Sequence, residues 1–191
     1  MKARIATAST LIILLTALFA VAMAADRSDA MLSAFQDACF PQLKDLEAQR
    51  AKLIESGFTS VPSDSIPELR QLHNLAQGAK EFLPMFETYR GQRDGVELVV
   101  DLLVRITSGT KQHSCGVYDF AAPEPVNDRK LADWLGRPAD YPPRGPGHIS
   151  KWLSINGLPE GYAEIFSIFA ADRGARRWRG ARLVARTKDG A

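Results

Sequence analysis

Arginine residues crowd the carboxyl end of the chain, where their type and spacing suit the binding of an anion. Seven basic residues follow position 172, against a single acid, Asp189. In the predicted last strand, Ala181–Thr187, Arg182 and Arg186 lie on one face, because side chains alternate along a strand. Guanidinium groups beside an aromatic ring suit anionic lipids, phosphates and other polyanions. The candidate anion-binding residues are Arg176, Arg177, Trp178, Arg179, Arg182 and Arg186.

The same arginines have an explanation that involves no ligand. Residues 25–172 carry 15 basic and 21 acidic side chains, so an acidic body precedes the basic end. The basic strand could pair with that body, or its charges could keep an edge strand from aggregating. Over residues 25–191 the charges balance, and this balance argues against a dedicated nucleic-acid-binding protein.

Carboxylate and histidine side chains form no recognisable catalytic motif. Glu97 and Asp101 fall on one face of a predicted strand, roughly 13 Å apart, which exceeds the separation that glycosidases use. With Arg105 they indicate a solvent-exposed face. The chain has no Gly-x-Ser-x-Gly and no His-Glu-x-x-His sequence. The prediction is a non-enzymatic protein with no cofactor; the alternative is a hydrolase-like enzyme whose site is assembled from distant residues such as Glu97, Asp101 and His113.

The next predicted strand, Thr110–Ala121, carries three residues of types that can bind a metal. His113, Cys115 and Asp119 share one face of it, because they are separated by even numbers of residues. A zinc site needs three or four convergent ligands, and Cys115 is assigned to a disulfide. We therefore predict no metal site.

Cys39 and Cys115 are the two cysteines of the chain. An even number of cysteines in an exported protein predicts a disulfide, and two cysteines allow a single intramolecular pairing. A catalytic or redox thiol and a pair of free thiols are the alternatives, although redox pairs usually have Cys-x-x-Cys spacing. Cys39 shares the apolar stripe of a predicted helix with Phe35, so its side chain is expected to face the core.

Export is predicted by the first 24 residues. Lys2 and Arg4 precede the apolar run Leu11–Val21, and Ala22–Ala24 supplies small residues for cleavage, as in a secretory signal peptide. A retained anchor is the alternative, although a spanning helix needs about 20 apolar residues. We predict a signal peptide at 1–24, a single domain at 25–191, no membrane span after cleavage, and a periplasmic or secreted location.

Helices are predicted before the first long strand and once after it. Residues 28–56 have helical periodicity, with a break near Phe40 because Pro41 lacks an amide donor, and an end at Gly57. A second helix is expected to begin at Ser65. A short third helix follows Asn127.

Strict alternation of apolar and polar residues predicts a strand at Val96–Thr107. Ser108-Gly109 suits a two-residue hairpin turn, and the partner strand is expected at Thr110–Ala121. A turn of this length places Leu102 opposite Cys115, so both cysteines are expected to face the core.

Three further strands are expected at Ile149–Ile155, Tyr162–Ala171 and Ala181–Thr187. The proline-rich loop at 138–147, with Tyr141 and Arg144, is either a second candidate site or a rigid connector. Runs of strands without βαβ alternation favour an α+β fold. We expect N-terminal helices packed on one face of a roughly five-stranded antiparallel sheet, with one short helix between strands 2 and 3.

Three local patterns together resemble small exported proteins of unknown function from GC-rich proteobacteria: Phe35-x-x-x-Cys39, Gly57-Phe58 and Cys115-Gly116-Val117. The resemblance covers the region 30–120. It implies an extracytoplasmic location and a paired Cys39 and Cys115, and it implies no activity. The expected function is therefore an exported binding or envelope-associated domain whose partner is an anionic envelope component or a protein, with a subunit of a larger assembly as a further alternative.

Overall fold

The computed structural model describes residues 27–40, 42–70, 73, 85–107, 109–144, 148–155, 163–171 and 179–188. Its helices are α1 (Arg27–Ala38), α2 (Leu46–Glu55) and α3 (Asp128–Leu135), and residues 67–70 are also helical after a 3-10 turn at Ser63–Ser65. The strands are β1 (Thr59–Val61), β2 (Met85–Arg93), β3 (Val96–Thr107), β4 (Thr110–Asp119), β5 (His148–Leu153), β6 (Ala163–Ala170) and β7 (Gly180–Lys188). The predicted signal peptide lies outside the described residues.

Local signals in the sequence explain the C-terminal end of α1 and both ends of α2. The helical region predicted for 28–56, with a break near Phe40, consists of two helices, and α1 ends at Ala38, close to the predicted break. The Asp45 side chain accepts a hydrogen bond from the Ala48 amide at 2.9 Å and caps α2. Gly57, with φ of +82°, follows the end of α2 in the left-handed conformation that glycine adopts at little cost.

All seven strands form one antiparallel sheet in the order β1-β2-β3-β4-β7-β6-β5. The predicted register of the β3–β4 hairpin is confirmed, since Leu102 pairs with Cys115 and Val104 with His113. The last strand, β7, does not lie at an edge. It joins the β1–β4 half of the sheet to the β5–β6 hairpin.

One face of the sheet, called here the core face, packs against α1 and α3. Val100, Val117 and Leu183 stand on it in neighbouring strands, and each is fully buried or nearly so. Cys39, just after α1, forms a disulfide with Cys115 of β4, with Cα atoms 5.4 Å apart and both side chains inaccessible to solvent. The predicted structural disulfide is therefore confirmed, and it ties the helical layer to the middle of the sheet.

The opposite face, called the distal face, has an apolar cluster of its own. Val99 and Tyr118 point to this face and pack with Ile66 and Leu69, which belong to the segment around the helical residues 67–70. Helical segments therefore cover parts of both faces.

The predicted sheet of about five strands with helices on one face is wrong. The sheet has seven strands, and the short helix α3 follows the fourth strand instead of lying between the second and third. The reason is that two strands were missed. β1 is only three residues long, and β2 places polar groups such as Glu87 and Thr88 on successive positions, so neither shows apolar alternation.

The described part of the proline-rich loop, residues 138–144, contacts the outer edge of β5. Tyr141 and Lys151 exchange backbone hydrogen bonds of 3.1 and 3.0 Å, and the Asp140 carboxylate accepts the Leu153 amide at 2.7 Å. These bonds satisfy edge groups that another chain could otherwise pair with. Of the two interpretations of this loop, the contacts favour the rigid connector.

No helix within the described ranges is both long and apolar enough to cross a membrane.

Candidate anion-binding surface

Arg182 and Arg186 lie on the distal face of β7, as strand alternation predicts. Arg182 stands opposite Tyr118 of β4, and Arg186 stands opposite Glu164 of β6. Val184, between the two arginines, is 2% exposed. The two guanidinium groups therefore share one side of the molecule, remote from the helices α1 and α3.

Aromatic rings on neighbouring strands support these cations. The Arg182 Cζ atom lies 5.4 Å from the centroid of the Tyr118 ring, and the Arg186 Cζ atom lies 5.2 Å from that of Phe166. Lys151 of β5 places its Nζ atom 5.0 Å from the same Phe166 ring. A cation over an aromatic face is attracted by the ring quadrupole, so the rings help to hold the charged groups in place.

Charge on the distal face of β5, β6 and β7 is predominantly positive. One carboxylate, Glu164, stands there; its side chain is only 3% exposed, forms an ion pair with Lys151 and lies 3.8 Å from Arg186. The described parts of these strands carry four basic residues on this face against this one acid. We call these residues the cationic face: Lys151, Arg182, Arg186 and Lys188.

Tyr118 forms the boundary between the cationic face and the apolar cluster around Val99. Its ring leans over Gly116, where an added Cβ atom would lie 2.9 Å from the Tyr118 Cε2 atom. Burial raises the pKa of the Tyr118 hydroxyl to about 12, while the positive charge of Arg182 acts in the opposite direction. The phenol is therefore neutral at physiological pH, and it serves as a packing surface for Arg182.

Arg179 is exposed and comes directly before β7, at the end of the sheet where β4 finishes. Its position is set by Gly180, which has φ of +102° and packs so closely on the end of β4 that an added Cβ atom would lie 2.1 Å from the Asp119 carbonyl oxygen. Of the predicted anion-binding residues, Arg176, Arg177 and Trp178 lie outside the described residues. The structure places Arg182 and Arg186 together on the distal face and Arg179 at the end of the sheet where β4 finishes.

The carboxylates of Glu97 and Asp101, which belong to the alternative enzyme site, have different environments. The Glu97 side chain is 60% exposed and pairs with Arg90 at 3.1 Å. Asp101 is buried, accepts a hydrogen bond from the Thr88 hydroxyl at 3.0 Å and lies 2.9 Å from the Nε2 atom of His73. The prediction of a solvent-exposed face is therefore wrong at Asp101, because His73 covers it.

His113, the third residue of the alternative enzyme site, lies on the core face opposite Val104. The sheet separates it from Glu97 and Asp101, so these residues form no common site. Asp119, considered with His113 as a metal ligand, instead accepts hydrogen bonds of 2.8 and 3.0 Å from Arg27. Within the described ranges, no group of three or more His, Cys, Asp or Glu residues could hold a metal ion.

Sequence reasoning missed Lys151, Tyr118 and Phe166 as parts of the cationic face. Alternation places each of them on one face of its own strand, but it does not say which strands become neighbours. The position of β7 between β4 and β6 brings Tyr118 and Phe166 to the two sides of the arginine strand. That order of strands is a property of the whole sheet.

A comparison with models of known protein families gives no match for this chain. Comparisons with curated proteins and with solved structures likewise give no significant match.

Proposed function

We propose that this protein is an exported, non-enzymatic domain of the cell envelope that binds an anionic lipid surface through its cationic face. One observation carries the proposal. Four basic groups stand on the same side of three adjacent strands, supported by the rings of Tyr118 and Phe166, with one nearly buried acid among them. Such a surface is complementary to a negatively charged bilayer.

A periplasmic or secreted location is part of this proposal. It is supported by the predicted signal peptide at 1–24 and by the disulfide between Cys39 and Cys115, because disulfides persist in oxidising compartments. The resemblance to small exported proteobacterial proteins points to the same location.

The chemistry of the described residues supports binding better than catalysis. Groups with shifted pKa values are engaged in structural contacts: hydrogen bonding to Asp119 raises the pKa of Arg27, and hydrogen bonding to Arg50 lowers that of Glu87. These side chains bind one another and are not poised for proton transfer.

The charge and composition of the cationic face suit a lipid surface. An arginine or lysine near an anionic bilayer contributes about 1 kcal/mol, so several together give useful affinity. Ile149, which is 39% exposed, lies on the same face of β5 and offers an apolar side chain to the interface. The acidic body of the chain, residues 25–172, would be repelled by the same surface and would favour one orientation of the protein.

The test is co-sedimentation of the exported protein with vesicles of equal parts phosphatidylglycerol and phosphatidylcholine, compared with vesicles of phosphatidylcholine alone. The double variant R182Q/R186Q removes two charges and is expected to bind the anionic vesicles roughly thirtyfold more weakly, since two contributions of about 1 kcal/mol are lost. The variant K111Q/R129Q removes two exposed charges outside the cationic face and is expected to bind like the wild type.

A charge-retaining variant separates binding from stability. R182K/R186K keeps the positive charge while changing the contacts with the rings, so it should retain most of the binding. Equal binding of R182Q/R186Q and the wild type would contradict the proposal, and so would equal binding of the wild type to both kinds of vesicle.

A further inference from the structure

A groove of about 280 Å³ opens at the end of the sheet where β4 finishes and β7 begins. Apolar and aromatic side chains supply much of its lining, among them Ile66, Val99 and Phe120. The Phe120 ring stacks on that of Tyr118, with centroids 5.4 Å apart and planes inclined by 27°. The groove therefore offers a flat aromatic surface, and its volume is close to the lower limit for ordinary ligand pockets.

Most of the charged groups around the groove neutralise one another. Arg27 and Asp119 form a two-bond ion pair, with distances of 2.8 and 3.0 Å. Arg90 and Glu97 form a second pair across 3.1 Å.

Arg179 is the exception in this lining. It is exposed, and no carboxylate in the described part of the chain forms an ion pair with it. Glu68, which also lines the groove, has an interaction of its own. The groove thus combines a stacked pair of rings with an arginine whose charge is available to a ligand.

We propose that this groove binds a small aromatic carboxylate. Its ring packs against Phe120, and its carboxylate accepts paired hydrogen bonds from the Arg179 guanidinium group, whose planar fork matches the two carboxylate oxygens. Offset or edge-on contact between rings adds to the burial of apolar surface. An inorganic anion would leave the apolar lining exposed to water, so a ligand with both an aromatic ring and a negative charge fits best. This site uses Arg179, whereas the cationic face uses Arg182 and Arg186, and Tyr118 borders both.

Isothermal titration of the exported protein with benzoate tests the site. Two comparison ligands separate the contributions: benzamide keeps the ring without the charge, and acetate keeps the charge without the ring. Saturable binding of benzoate is expected, with benzamide and acetate each at least about tenfold weaker, because a charge-assisted hydrogen bond and a buried ring each account for an effect of this order.

Variants identify the residue responsible. R179Q is expected to weaken benzoate binding about tenfold or more, whereas R129Q, which removes an exposed charge from α3, leaves it unchanged. Urea unfolding of R179Q should match that of the wild type, because Arg179 is exposed. Three results would overturn the proposal: no saturable binding of benzoate, equal binding of benzoate and benzamide, or equal binding of benzoate by R179Q and the wild type.

Discussion

At the scale of single residues, Tyr118 contacts both Arg182 of the cationic face and the apolar cluster around Val99. Its ring supports Arg182, fills the space above Gly116 and stacks on Phe120. The side chain is only 5% exposed, so its ionised form would bring a negative charge into a poorly solvated place. Protonation of this one hydroxyl is therefore linked to the stability of the fold.

The stability of the protein should fall at alkaline pH because of Tyr118. Burial raises the folded-state pKa of this group to about 12, above the ordinary value of 10. The contribution of Tyr118 to the free energy of unfolding is complete below a pH of about 10. It is lost as the pH rises through the folded-state pKa, because the Tyr118 hydroxyl ionises at a lower pH in the unfolded chain. A shift of this size corresponds to roughly 3 kcal/mol. Urea unfolding from pH 9 to 12 measures the effect.

Two phenylalanine variants control this experiment. Tyr118→Phe should flatten the alkaline decline, whereas Tyr141→Phe, at a side chain that is 58% exposed, should leave it as in the wild type. An equally steep decline in Tyr118→Phe would show that another group is responsible.

At the scale of elements, β7 determines how the two halves of the sheet meet. It begins at Gly180, whose backbone packs so closely on the end of β4 that no residue with a Cβ atom would fit there without a shift of the backbone. A glycine is therefore required here both for its left-handed conformation and for its missing Cβ atom.

Gly180→Ala should destabilise the protein strongly. The added methyl group would lie 2.1 Å from the Asp119 carbonyl oxygen and 2.7 Å from the Phe120 Cα atom, both of which belong to backbone that must shift. We expect a loss of roughly 3 kcal/mol or more, from overpacking together with a positive φ. The midpoint of urea unfolding measures this loss.

Gly109→Ala is the matched control, because Gly109 also has a positive φ, +77°, but nothing lies within 4 Å of an added Cβ atom. That variant should show only the backbone strain, roughly 1 kcal/mol. Equal losses in the two variants would mean that the close approach of β7 to β4 contributes nothing.

Element boundaries differ in how well the sequence predicts them. The strand Val96–Thr107 has the predicted bounds, because every second residue from Val96 to Ile106 is apolar and all of these except Ile106 are buried in the core. β2 was missed because both of its faces meet polar partners: Glu87 binds Arg50 and Thr88 binds Asp101. The partners in those contacts lie far away in the sequence, so no local pattern predicts them.

At the scale of the whole molecule, the disulfide connects the helical layer to a central strand. Cys39 and Cys115 are separated by 76 positions in the chain, so the bond closes a large loop in the unfolded state. The loop-closure model gives about 4 kcal/mol for a loop of this length. For a domain whose total stability is about 5–15 kcal/mol, this is a large share.

Removal of the disulfide should lower the free energy of unfolding by about 4 kcal/mol. The variant C39A/C115A keeps small apolar side chains in the buried site, so the loss of the cross-link dominates its effect. Urea unfolding of this variant and of the wild type with a reductant should agree. Unchanged unfolding midpoints in both would contradict a stabilising role for the bond.

Local sequence rules predict only part of the cationic face. Arg182 and Arg186 share a face because a strand alternates with period two, and this rule needs no tertiary information. Their aromatic partners, Tyr118 and Phe166, come from strands on either side of β7, and this adjacency depends on the order of the sheet.

The sequence by itself determined the elements with strong local patterns, the hairpin register that faces Leu102 toward Cys115, and the pairing of the two cysteines. It determined these because alternation, turn length and cysteine count act over short distances or allow a single solution. Only the tertiary structure decided the number of strands, the insertion of β7 between β4 and β6, and the burial of Asp101 beneath His73. The physical reason is that strand order and the covering of a sheet face follow from contacts between segments far apart in the chain, where no local pattern distinguishes one partner from another.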